Sequence, residues 1–132
     1  VYRIENTSYG LKLSFSGTIA RPEMEAWSAE VLPACSRAGA RFGVLVDMRE
    51  LKPLQPDVQS LMVQTQAQIK AAGLVRSCVI LSSKILTMQF ERLAKESGII
   101  SFQRYVDASA NSDYEAIALE WITKGTGTLA SE

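Results

Sequence analysis

With 132 residues, 14 basic and 14 acidic side chains and no histidine, the chain has the length of one domain and no net charge. That balance excludes the basic footprint by which proteins hold a phosphate backbone or an anionic membrane surface, and the missing histidine removes the commonest general base and metal ligand. A composition 47% hydrophobic and 21% charged suffices for a full core, while the longest apolar runs, such as Cys78-Val79-Ile80-Leu81, fall far short of the roughly 20 residues of a membrane span.

Tyr2 and Ile4, then Leu11, Leu13 and Phe15, alternate with polar neighbours around Asn6-Thr7-Ser8-Tyr9-Gly10, which predicts an opening β-hairpin with one buried face. Pro22 suits the first turn of a helix. Met24, Trp27, Val31, Leu32 and Cys35 continue it as one apolar stripe. Pro33 interrupts the stripe, so that either the helix kinks there or it ends and a second short turn follows.

Gly43-Val44-Leu45-Val46-Asp47-Met48-Arg49 reads as the central strand of a sheet, because its apolar run is buried on both faces and ends in an acid and a base. Glu50 to Pro56, with prolines at 53 and 56, predicts a loop. Val58, Leu61, Met62, Thr65, Ile69 and Ala72 then form the inner face of a helix stopped by Gly73, with Gln59, Gln64, Gln66, Gln68 and Lys70 on a solvated outer face.

Cys78 to Leu81 is a second fully apolar strand, and Ser82-Ser83 caps a helix before Lys84. That helix carries Leu86, Phe90, Leu93 and Ala94 inward and stops at Gly98. Phe102 to Val106 suits an edge strand. Ser112 and Glu115 have the spacing of a capping box that opens a last helix with Tyr114, Ile117, Ala118, Trp121 and Ile122 inward. The expectation is one α/β domain over residues 1–124, with a mostly parallel sheet of about five strands, an opening antiparallel hairpin and four helices. The Gly/Thr/Ser stretch 125–132 reads as a flexible tail.

Chemistry is expected at the carboxyl ends of the strands, where open α/β sheets build sites. Asp47 and Arg49, two apart on an extended chain, share one side and can pair or form a polar cluster. Ser82, Ser83 and Lys84 make either a plain helix cap or an anion site at a helix start. Asp107, Ser109 and Asn111 read as turn chemistry. No nucleotide-binding loop or nucleophile motif is present. Cys35 and Cys78 read as small buried hydrophobes in a reducing cytoplasm. The chain is therefore expected to be a cytoplasmic non-enzyme without cofactor or metal.

The order of elements and Val44-Leu45-Val46-Asp47-Met48-Arg49 resemble the STAS and SpoIIAA-like group, bacterial anti-sigma-factor antagonist domains. Leu86 to Ile99 is similar to the third-helix stretch of STAS-like bacterial proteins. The resemblance covers roughly Tyr2 to Lys124. It implies a β-α superhelix used for regulated protein contacts or for holding a small apolar ligand. In the antagonist domains the strand's Asp precedes a phosphorylatable Ser at the start of the next helix. Asp47 matches that Asp, but Gln55-Pro56-Asp57 stands in the Ser region, so the resemblance carries over the fold and the contact loop without the phosphoserine switch. Asp57 supplies only part of a phosphoserine's negative charge.

The leading expectation is a protein-interaction module whose contact surface comprises Asp47, Met48, Arg49, Asp57, Gln59, Ser82, Ser83 and Lys84, with Gln66 on the adjoining helix face. The alternative is a carrier of a small apolar molecule or acyl chain, in a cavity lined by Met48, Met62, Met88 and Phe90. No nucleic acid is expected, and homodimerisation stays open.

Overall fold

A computed structural model describes residues 1–126. Strands β1 (Tyr2–Asn6) and β2 (Gly10–Gly17) form the antiparallel hairpin, and β3 (Phe42–Leu51), β4 (Leu74–Leu81) and β5 (Gln103–Asp107) extend the sheet in parallel, in the spatial order β1-β2-β3-β4-β5. Helices α1 (Arg21–Ala38), α2 (Pro56–Ala72) and α3 (Lys84–Ser97) make the crossovers, and α4 (Tyr114–Lys124) follows the last strand.

Each crossover steps to the next strand in the same direction, and right-handed connections in one direction place all their helices on one face. Accordingly α1, α2 and α3 enclose the larger core, with Leu13, Phe15, Val44, Val46, Met48 and Val79 pointing into it from the sheet. Helix α4 follows β5 and makes no crossover among the described residues. It folds back over the other face, where Leu45, Cys78, Ile80 and Val106 meet Ala118 and Ile122. α4 packs on β3, β4 and β5, so β3 and β4 carry their apolar runs between two layers, while β5 is mixed and β1 and β2 keep a polar outer face.

The hairpin stands where its pattern places it, β3 is central, and β4 contains the apolar run Cys78–Leu81 but begins at Leu74. Gly10 is opposite Gly43 in the sheet with φ at 146°, and a Cβ on Gly10 would run into the Gly43 carbonyl, so both the conformation and the close approach require glycine.

Several expectations are corrected. Glu50 and Leu51 belong to β3 rather than to the loop, because they pair with Ser16 and Gly17 after an irregularity in the β2 register. The helix of Pro33 neither ends nor gives way to a second turn: α1 runs through it, with the ring on the exposed side. Gln66 is buried, where it accepts a hydrogen bond from Ser97 Oγ at 2.8 Å. Phe102 lies in a short 3₁₀ turn before β5. Ser112 does not cap α4; Asp113 occupies that position, with no side-chain cap bond. Of the proposed tail, residues 127–132 lie outside the described residues, while Gly125 closes α4 by donating its N–H to Trp121 O at 2.8 Å.

Candidate functional site

The carboxyl ends of β3, β4 and β5 lie side by side because the three strands are parallel, and this end gathers most of the predicted site residues. Asp47 and Arg49 leave β3 on the α4 side and pair in a fork: Arg49 Nη2 lies 2.8 Å from Asp47 Oδ2, and Arg49 Nε donates to Oδ1 at 3.0 Å. The Arg49 guanidinium also stacks 4.8 Å from the centre of the Tyr114 ring and donates to its hydroxyl. Burial pushes the Asp47 carboxyl up, but the hydrogen bonds and charge of Arg49, with Lys12 beyond, together hold it below the ordinary carboxylate value. Arg49 is thus committed to Asp47 and Tyr114. Met48 points the opposite way, into the core.

The loop between β3 and α2 is held by one residue that the sequence gives no reason to select. Leu54 is buried, at 4% exposure. Its N–H donates to Gln89 Oε1 at 2.9 Å, and its carbonyl accepts from Gln59 Nε2 at 2.8 Å and from Gln89 Nε2 at 3.2 Å. Gln59 Oε1 in turn accepts from Arg92. The loop is therefore pinned to both flanking helices, and Gln59 faces inward across it rather than outward toward a partner. Asp57 stays exposed in the first turn of α2, where the helix dipole favours a carboxylate. Its backbone carbonyl accepts from Arg21 Nη1 at 3.1 Å.

Ser83 is the N-cap of α3, accepting from Leu86 N at 3.2 Å, while Ser82 and Lys84 are exposed beside it. An open groove of about 390 Å³ runs from Ser83 and Lys84 between α3 and β5 to Asp107. Asp107 is tied into its own turn by Ser109, whose Oγ and N–H both donate to Oδ1 and hold the carboxyl low. Beside this groove, α3 exposes Ile85 (70%) and Met88 (69%), two large apolar side chains one turn apart. They interrupt a polar face, and that interruption is the signal by which the sequence could have singled them out.

Met88 is consequently absent from the inner cavity. That cavity, about 40 Å³ among the cores of α1, α2 and α3, is lined by Met48, Met62 and Phe90 together with Trp27. It is far smaller than the 150 Å³ cavity that takes up benzene. Among the described residues no cluster of three acidic, cysteine or histidine side chains could hold a metal ion, and no helix is long and apolar enough to cross a membrane.

No family model and no curated protein sequence matches the chain. Solved structures do. The anti-sigma factor antagonist SpoIIAA in its unphosphorylated form superposes with a TM-score of 0.57 at 13% identity, covering 88% of this chain and 96% of that one. The chain has the SpoIIAA fold. The phosphorylated form of SpoIIAA, described as the Bacillus cell fate determinant, gives 0.56 at 14% identity over 86% of this chain and 97% of that one. The SpoIIAA-like element order agrees with the expected five-stranded sheet and four helices, with its antiparallel hairpin and parallel remainder. Within that fold, the β3–α2 loop and the start of α2 hold no hydroxyl between Lys52 and Gln59, and Ser60 Oγ is turned back onto the Pro56 carbonyl at 3.2 Å.

Proposed function

We propose that the chain is a non-enzymatic regulatory interaction module that binds a protein partner of the anti-sigma-factor kind through the carboxyl end of its sheet, without a phosphoserine at the start of α2. The observation that carries this reading is the exposed Ile85–Met88 pair beside a loop pinned at Leu54. Apolar side chains this exposed cost solvation and mark contact sites when they stand together. A pre-ordered loop lowers the entropy lost on association. Lys84 directly precedes the pair at the start of α3, and the exposed Asp57 opens α2; these charged groups suit the rim of such a surface. Asp47 and Arg49 take a supporting part, since their pairing and the Tyr114 stack fix the end of β3.

The test is affinity capture with cross-linking, comparing the protein with an Ile85→Ser/Met88→Ser double variant and with Asp57→Lys. The expected result is a regulatory partner retained by the parent protein and lost by the double variant, with unchanged urea unfolding. Retention of the same partners by both proteins, or loss of folding in the double variant, refutes this surface.

A further inference from the structure

β1 is the outermost strand, and the register decides which of its backbone groups are engaged. Val1 and Ser16 exchange backbone contacts across the hairpin, with Ser16 N–H donating to Val1 O at 2.8 Å, and Arg3 and Glu5 stand opposite Ser14 and Lys12. Period two then turns the backbone groups of Arg3 and Glu5 toward β2 and those of Tyr2, Ile4 and Asn6 away from it. Among the described residues nothing bonds to that outer row. Alongside it runs a groove of about 350 Å³, lined by Ile4 and Asn6 and, on α1, by Ala29, Glu30, Pro33 and Arg37. Pro33 has no N–H to give the Ala29 carbonyl, so the helix wall of the groove is also short of a backbone donor. A bare edge of this kind invites another strand.

We infer that the β1 edge is a homodimer interface, on which β1 of a second copy adds antiparallel about a two-fold axis through Ile4. In that register Ile4 meets Ile4, Tyr2 meets Asn6, and Arg3 of each copy stands opposite Glu5 of the other. The outward N–H and C=O groups of Tyr2, Ile4 and Asn6 are then all exchanged between copies. The Arg3–Glu5 pairs fall at the non-hydrogen-bonded positions, where opposing Cα atoms approach to about 4.5 Å and opposite charges attract. A two-fold axis normal to the sheet keeps each residue on its own face, so the arrangement requires no register slip.

The helices fit the same operation. α1 packs over both β1 and β2, and strands are spaced by about 4.8 Å, which sets the two α1 helices roughly 10 Å apart, near ordinary helix-packing distance. They run antiparallel with the small Ala29 and Pro33 between them, so Glu30 of each copy approaches Arg37 of the other. Among the described residues Arg3, Glu5, Glu30 and Arg37 make no ion pair within their own chain. One sequence thus satisfies both charge pairs twice, the self-complementarity that a two-fold interface demands of identical chains.

Sedimentation velocity over a concentration series gives the association state, and mixing Arg3→Cys protein with Glu5→Cys protein under mild oxidation reads the register. The expected result is a reversible dimer, with a disulfide formed in the mixture and not in either variant alone. Arg3→Glu should weaken the dimer by about tenfold or more, and the swap Arg3→Glu/Glu5→Arg should restore it, with far-UV circular dichroism unchanged. A monomer at every concentration, a dimer without the mixed disulfide, or a swap that leaves the Arg3→Glu weakening in place would overturn the assignment.

Discussion

Replacing Gln89 by Ala tests whether one side chain orders the β3–α2 loop. In the native protein Gln89 satisfies both backbone groups of Leu54, while Gln59 provides a second donor to the carbonyl alone. Gln89→Ala therefore orphans the Leu54 N–H, a part-buried donor, at a cost of about 1–3 kcal/mol, whereas Gln59→Ala leaves each group one partner and costs about 0.5–1.5 kcal/mol. Amide hydrogen exchange under native conditions separates the two. If the loss is local, exchange of the Leu54 amide accelerates roughly tenfold for every 1.4 kcal/mol in Gln89→Ala and changes little in Gln59→Ala, while core amides of β3 and β4 follow only the global change. Equal acceleration in both variants, or an unchanged Leu54 amide in Gln89→Ala, would refute the pinning argument.

Other expectations follow from the same contacts. Asp47 has a depressed pKa in the folded state, so the unfolded chain binds more protons on acidification. Its stabilisation is present above the ordinary carboxylate value and is lost as pH falls through the folded value. Urea midpoints measured from neutral pH down to about pH 3 should fall less steeply in Asp47→Asn than in the parent. Ser83→Ala removes the α3 cap and should cost about 1 kcal/mol, while Ser112→Ala should stay within about 0.5 kcal/mol by thermal or urea unfolding, since Ser112 caps nothing. Phe90→Ala should cost about 3–5 kcal/mol because the ring is wholly buried against the α1–α3 core. A cost below about 1 kcal/mol would mean the core there is looser than described.

The sequence alone specified the elements whose burial is uniform along them. β3 and β4 read as buried strands since every apolar residue of Val44–Val46 and Cys78–Leu81 contacts one core or the other, and period two in β1 and β2 exposed their single buried face. Ser83 read as a cap because N-capping is a local hydrogen bond between residues three apart. Contacts between distant residues decided the rest. The Ser112 spacing looked like a capping box, but packing of α4 on the sheet starts that helix at Tyr114. Gln66 and Gln89 look like any solvated glutamine until the fold places Ser97 against one and Leu54 against the other. The period of α3 already turns Met88 away from Leu86 and Phe90, but only the structure sets it beside an open groove rather than in the cavity that Phe90 lines. Most of all, hydrophobic pattern says how many faces of a strand are covered but not by what. The direction of the crossovers put three helices on one side, and α4 covers only β3 to β5 on the other, so that among the described residues the β1–β2 hairpin is polar on its outer face and unpaired along its β1 edge.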